Sequence, residues 1–298
     1  MTPNCLFSSG DIAQYGRMDF VNQDTGVIPQ TSSGFPASNL LTNDLYQGVQ
    51  FSNNANTNTQ FAIDLGSIQP ISIIALLKHN AIAGSYWQVN IYDTLANYQA
   101  ASALYTSGIV QMTPSNTVFG TLAWGMFQWG ETVSEADLAG YNRHAFLPLN
   151  AVVLGRYITV RLICDMSPVL FMAYKFWVGT YYQPTFNADY NSELEPIDET
   201  SIKKGYTGAR TYGQVVKRRQ MKLNFSLLPQ PEFLANIYGP LFLRNGAKQP
   251  FLFIMFPQDS TLWMTTSIYG NLQPQNPNSL PFTMYNQMAA TIIIEEAV

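Results

Sequence analysis

The sequence predicts an all-β (mainly β) protein. It has one large β-sandwich and a smaller β-rich domain that carries one helix. Three observations carry this. The run Thr59-Gln-Phe-Ala-Ile-Asp-Leu-Gly66 places Phe61, Ile63 and Leu65 on one face, the period of a half-buried strand. The run Ile71-Ser-Ile-Ile-Ala-Leu-Leu-Lys-His-Asn80 is apolar at nearly every position, as in a strand covered on both sides. In Tyr86-Trp-Gln-Val-Asn-Ile-Tyr-Asp93, Trp87, Val89 and Ile91 face one way, with Gln88, Asn90 and Tyr92 on the other. Gly66 with Gln69-Pro70 separates the first run from the second, and Ala83-Gly84-Ser85 separates the second from the third. Three strands at this spacing predict an antiparallel sandwich.

Taken in order, residues 1–58 are rich in Asn, Ser, Thr, Gly and Gln and predict loops, with short strands near Arg17–Val21 and Val49–Phe51. After the central strands, Leu104–Gly108 predicts a short strand. Residues 113–143 are irregular and aromatic, and Ser134 with Asp137 three residues on predicts a capped turn. Arg156–Ile163 alternates, with Ile158, Val160 and Leu162 inward. Val169–Thr180 closes the sandwich. The composition then shifts. Asp189, Glu193, Glu195, Asp198 and Glu199 form an acidic linker, and seven of the fifteen basic residues follow between Lys203 and Lys222. The boundary falls near residue 185, giving domains 1–184 and 185–298. In the second, Tyr212–Leu228 predicts a strand and Pro231–Gly239 a helix with Phe233, Leu234, Ile237 and Tyr238 as its stripe. Phe251–Phe256, Leu262–Ile268 and Ala289–Glu296 predict further strands.

The Ile-Asp-Leu-Gly strand, the apolar strand and the Trp-x-Val-x-Ile strand together resemble the galactose-binding-like jelly roll of discoidin and coagulation-factor C-type domains. Pro36-Ala-Ser-Asn-Leu-Leu41 resembles the segment that opens such domains. The run Ile74-Ala-Leu-Leu-Lys-His-Asn80 resembles tail and virion structural proteins of tailed bacteriophages. Phe251 to Val298 resembles the second half of those proteins. The resemblance implies a jelly-roll sandwich followed by a tail-tube-like split barrel. It also implies a distal-tail or baseplate-type component, made in the host cytoplasm, that assembles into a ring in the virion and scaffolds neighbouring tail proteins. The alternative is a carbohydrate-binding module for host surface glycans. Some discoidin-type domains join their ends by a disulfide, which allows a Cys5–Cys164 bridge. Cys164 precedes the domain end by a strand, which favours two free thiols.

The totals fit such an assembly and fit an ordinary extracellular β-protein equally well. Charged residues make up 11% of the chain, against about 25% in an average domain. The 23 Asn and 20 Gln outnumber the 15 basic and 19 acidic residues. Covering an amide costs less than covering an unpaired charge. A net charge of −4 gives no reason to expect a polyanion partner. The N-terminus lacks the pattern of a signal peptide, and no apolar run reaches the length of a membrane span.

No nucleophile elbow, phosphate loop, His-Glu-x-x-His or Cys-x-x-Cys occurs, so no catalytic activity, cofactor or metal is expected. His79, at the end of a buried strand, is expected to be a bonded structural side chain, and His144 a loop residue. Asp64 and Asp93 end strands and are expected to serve turns. Trp124 and Trp129, in a long glycine-flanked segment, are the ligand-site candidates, because exposed aromatics stack on sugar rings or anchor interfaces. The competing reading has them plug one end of the sandwich. Lys217, Arg218 and Arg219 are interface candidates, by charge complementarity between subunits rather than nucleic-acid binding.

Overall fold

The structure is a computed structural model. It describes residues 4–18, 31–52, 60–82, 84–113, 142–163, 170–198, 218–260, 262–273 and 286–297, with backbone alone at 202–204, 210–212 and 282–284. The chain forms two compact units. One comprises Gly10–Tyr181 with Asp259–Thr265, and the other Met1–Ser9, Tyr182–Gln258 and Thr266–Val298. The first residues thus belong with the C-terminal part of the chain. Strand β1 (Leu6–Ser8) pairs with Phe251–Ile254.

The sandwich unit contains β2 (Val49–Gln50), β3 (Gln60–His79), β4 (Tyr86–Tyr92), β5 (Tyr105–Gln111), β6 (His144–Ile163) and β7 (Met172–Gly179). They pair antiparallel in the order β2-β7-β3-β6-β4-β5. The first two expected strands are one 20-residue strand, β3. The break between them is a bend. Pairing with β6 stops at Asp64 and resumes at Gln69 opposite Gly155. Gly66 takes φ 80° there, and its amide donates to Asp64 Oδ1 at 2.8 Å. A residue without Cβ adopts that φ at no steric cost, so turn chemistry redirects the strand without ending it.

Past the bend the two halves of β3 acquire different neighbours. β4 pairs with Tyr157–Ile163 of β6, and β7 pairs with Ile73–His79 of β3. The ring of Phe61, near the start of β3, meets Phe176 of β7 edge-on at 5.0 Å. Phe176 is itself the partner of Leu76 near the end of β3. The sheet therefore folds onto itself as two layers around one core. Phe61, Ile63, Trp87, Val89, Ile158 and Phe176 are among its fully buried members. Ile71 to Leu77 is buried at every position, as a strand covered on both faces should be. A short helix, α1 (Leu95–Gln99), is capped by Thr94, whose side chain accepts from the Asn97 amide. It brings Tyr98 onto Tyr92 and Tyr157 outside the sheet.

A second polar anchor sits near the start of this unit. Asp11 and Lys175 form an ion pair whose side chains are 3% and 0% exposed. Asp11 Oδ1 also accepts from the amides of Ala13 at 2.9 Å and Val178 at 3.3 Å, and Lys175 Nζ donates to Leu41 O at 3.2 Å. Burial pushes the Asp11 carboxyl up, against the pull of Lys175.

The second unit adds β8 (Glu193–Ile197), β9 (Ile202–Lys204), β10 (Arg210–Tyr212), β11 (Arg218–Pro229), β12 (Phe251–Ile254), β13 (Ser267–Leu272), β14 (Phe282–Met284) and β15 (Gln287–Glu296). Its main sheet runs β1-β12-β13-β15-β11-β8, with β14 also on β15, while β9 and β10 pair apart. Pro196 lies on the edge strand β8, where a missing ladder donor is tolerated. The expected helix is present and longer. It opens at Gln230–Glu232 and continues as a wide π-helical Phe233–Asn245. Its buried line is Phe233, Ile237, Leu241 and Asn245, whereas Leu234 is 41% exposed. The wider turn moves the buried stripe to every fourth residue. The helix packs on a core that includes Cys5, Phe7, Leu223 and Ile292. Cys5 is a free thiol, pushed up to about 12 by burial.

Candidate functional site

The bend in β3 brings both ends of that strand to one end of the sandwich. The register places Gln60 opposite Arg161, Tyr86 between Ile163 and Gln111, and His79 opposite Ala173. The strands flanking residues 53–59, 114–141 and 164–169 therefore leave from and return to this same end. Connections grouped at one end of a rigid scaffold are the usual place for binding residues.

Its described floor is built by the link from β3 to β4. Lys78, at φ 51°, turns the chain, and its amide donates to His144 Nδ1 at 3.1 Å. Asn80 clamps the link to the start of β7: its Nδ2 donates to Leu170 O at 2.9 Å, and its Oδ1 accepts from Met172 N at 2.7 Å. Arg143 donates to Ala81 O at 2.5 Å, and Thr113 Oγ1 donates to Ile82 O at 2.7 Å. The segments on both sides of residues 114–141 are thus tied to one short loop.

His79 is buried, stacks on Phe171 at 6.3 Å, and accepts the Ala81 amide at Nδ1, 3.2 Å. Burial, with His144 and Arg143 nearby, lowers it to about 3. It is therefore a neutral imidazole, with Nδ1 as acceptor and the ring proton on Nε2. His79 Nε2, Ser85 Oγ and Trp87 Nε1 are buried here without a hydrogen-bond partner among the described residues. Such groups are normally met by water or a ligand. This end combines neutral donors and the Arg143 guanidinium with aromatic side chains, and Ile82 and Tyr86 are partly exposed at the rim.

Among the other sequence candidates, Trp124, Trp129 and Lys217 lie outside the described residues, as do Cys164 and the capped turn at Ser134. Arg218 and Arg219 find partners on their own chain. Arg218 Nη1 lies 2.5 Å from Glu295 Oε1. Arg219 grips Glu296 through Nη2 to Oε1 at 2.6 Å and Nε to Oε2 at 2.9 Å. These pairs fasten β11 to β15. Asp64 and Asp93 serve local structure. Burial would raise the Asp64 carboxyl, but a bidentate Arg156, at 2.7 and 2.9 Å, and the Gly66 amide hold it below the usual range. Asp93 accepts from Asn97 Nδ2 at 2.7 Å, which lowers it. The clasp of Asn80, Arg143 and Thr113 was missed by sequence reasoning, since its partners lie 31 to 92 residues away and carry no local motif. Among the described residues no three His, Cys, Asp or Glu side chains are grouped to hold a metal ion, and no helix is long and apolar enough to cross a membrane.

No protein-family model matches this chain, and no curated protein sequence matches it. Solved structures similar to it include a Streptococcus pneumoniae fucose binding module, with 10% identity and a TM-score of 0.34 over 57% of this chain and 95% of that one. The family 32 CBM from C. perfringens NanJ, in complex with galactose, gives 10% identity and a TM-score of 0.34 over 59% of this chain and 99% of its own. Chitosan-binding module 1 from a Paenibacillus chitosanase/glucanase gives 11% and 0.33 over 57% and 99%. A further structure, SpGH29, is 16% identical with a TM-score of 0.34, and the match spans 28% of that chain.

Proposed function

We propose that this chain is a carbohydrate-binding protein that acts by recognition and not by turnover, with its sugar site at the loop end of the sandwich. The observation that carries this is the convergence, at one end of the sandwich, of the strand ends that flank residues 53–59, 114–141 and 164–169, over a floor rich in hydrogen-bonding groups. The sequence between two of those strands supplies Trp124 and Trp129. Sugars are bound by such a combination: aromatic faces for the ring and fixed uncharged polar groups for the hydroxyls. The test is capture on a glycan array by the whole chain and by a Trp124→Ala, Trp129→Ala double variant of unchanged circular dichroism. The reading expects saturable binding by the parent and its loss in the variant. Equal binding by both removes the loop end from the site, and no binding by the parent overturns the reading.

A second reading is favoured by composition. A chain in which 23 Asn and 20 Gln outnumber the charged residues suits a protein covered by copies and companions, as in the tail of a bacteriophage virion. The second β-unit would then form a homo-oligomeric ring against other tail proteins, and the sandwich would project from it towards host glycans. Ring particles in negative stain support this reading, and a monomer at every concentration refutes it.

A further inference from the structure

The outward face of β4, β5 and β6 forms a defined grid beside the loop end. Tyr86 lies between Gln111 and Ile163, and in the next row Gln88 lies between Ile109 and Arg161. These six side chains share one face, because the intervening Trp87, Val110 and Leu162 point inward, with Trp87 and Leu162 fully buried. Directly opposed side chains in such a sheet have Cβ atoms about 4.5–5.5 Å apart. Tyr86 and Ile109 are 39% and 66% exposed. Arg161 Nε and Gln111 Nε2 are buried against the sheet without a hydrogen-bond partner among the described residues.

Most described arginines are tied down by their own chain. Arg156, Arg218 and Arg219 each pair with a carboxylate, Arg143 donates to Ala81 O, and Arg244 donates to Ser9 and Asn245. Arg161 pairs with no carboxylate among the described residues, and its cross-strand neighbours are Gln60 and Gln88. A guanidinium held in place by a sheet presents a fork that matches a carboxylate in two parallel hydrogen bonds. Next to it stand an exposed phenol ring and two side-chain amides, the groups that contact a sugar ring and its hydroxyls. A single cation among neutral amides is a poor match for a polyphosphate, which calls for several basic contacts.

We propose that this face binds an acidic saccharide, with a sugar carboxylate on Arg161, the ring against Tyr86 and hydroxyls on Gln88 and Gln111. The inference rests on the carbohydrate-binding reading and extends it from the loop end onto a sheet face. It is tested by calorimetric titration of the whole chain with galacturonic-acid and galactose oligomers of equal length. The expected result is roughly tenfold tighter binding of the acidic oligomer, weakened by added salt. Arg161→Gln removes that preference. Gln88→Glu does so independently, by giving Arg161 a carboxylate partner across the strand. Tyr86→Ala weakens both ligands. A preference that survives in both Arg161→Gln and Gln88→Glu overturns the inference, and so does equal binding of polyglutamate. Loss of all binding in the Trp124→Ala, Trp129→Ala variant, with these face variants unaffected, overturns the inference and leaves the broader reading intact. Failure of the parent to bind any glycan overturns both.

Discussion

At the scale of single residues, the polar groups sealed inside the sandwich set how its stability responds to pH and substitution. His79 is lowered to about 3 by burial, whereas in the unfolded chain it titrates near 6.5. A depressed histidine stabilises the fold above its unfolded pKa, and that contribution is lost as pH falls toward the folded value. The unfolded state then binds a proton that the folded state refuses. The unfolding free energy should therefore fall below pH 6.5 by up to about 1.4 kcal/mol per pH unit. His79→Gln should flatten that slope, as urea titrations at pH 7, 5.5 and 4 would show; identical slopes would exclude this role. The Asp11–Lys175 pair follows a different rule. Removing one partner leaves a buried charge, so Lys175→Met should cost about 3–5 kcal/mol. Adding Asp11→Asn should restore most of it, since an amide oxygen can still accept from Ala13 and Val178. Additive losses in the double variant would show that the charges are not coupled. Nothing in the sequence pairs residues 11 and 175, and an internal lysine at an alternating position reads as a break in the apolar pattern. The structure shows it to be a tether.

At the scale of elements, periodicity revealed the inward faces and not the extent of the strands. The alternation of Phe61, Ile63 and Leu65, and of Ile158, Val160 and Leu162, marked the core residues correctly, and the apolar run after Pro70 marked a strand buried on both faces. Gly66 and Pro70 predict a strand break, yet turn residues look alike whether they end a strand or bend it. What decides is pairing across the bend, supplied by β6 more than 80 residues away. The helix from Gln230 shows the same limit. Its existence was legible from Pro231 and its apolar stripe, but the buried line follows the wider turn. The bend makes its own demand. A Cβ on Gly155 would lie 2.2 Å from Ile91 Cγ2, so Gly155→Ala must displace β4 or β6. Overpacking of this kind costs about 1–3 kcal/mol. Urea unfolding should report a loss in that range, and an unchanged midpoint would show that the two strands separate freely.

At the scale of the whole molecule, the chain is not organised as a simple succession of two domains. Leu6–Ser8 completes the sheet of the C-terminal unit, and Asp259–Thr265 belongs with the sandwich, where Trp263 meets Phe146 edge-on at 5.8 Å. The shift in composition near residue 185 carries no sign of these exchanges, which depend on partners distant in sequence. The candidate site divides in the same way. Aromatic content drew attention to Trp124 and Trp129. The clasp of Asn80, Arg143 and Thr113, and the grid around Arg161, exist only once β3 bends and β4, β5 and β6 come into register. The claim on which the functional account depends is that the sandwich holds a sugar, and the most direct measurement is equilibrium binding of the intact protein to a broad set of glycans. The account predicts saturable capture of a defined group of glycans, reversed by the free sugar. An absence of capture at ligand concentrations up to about 1 mM, where binding is worth only about 4 kcal/mol, would contradict it.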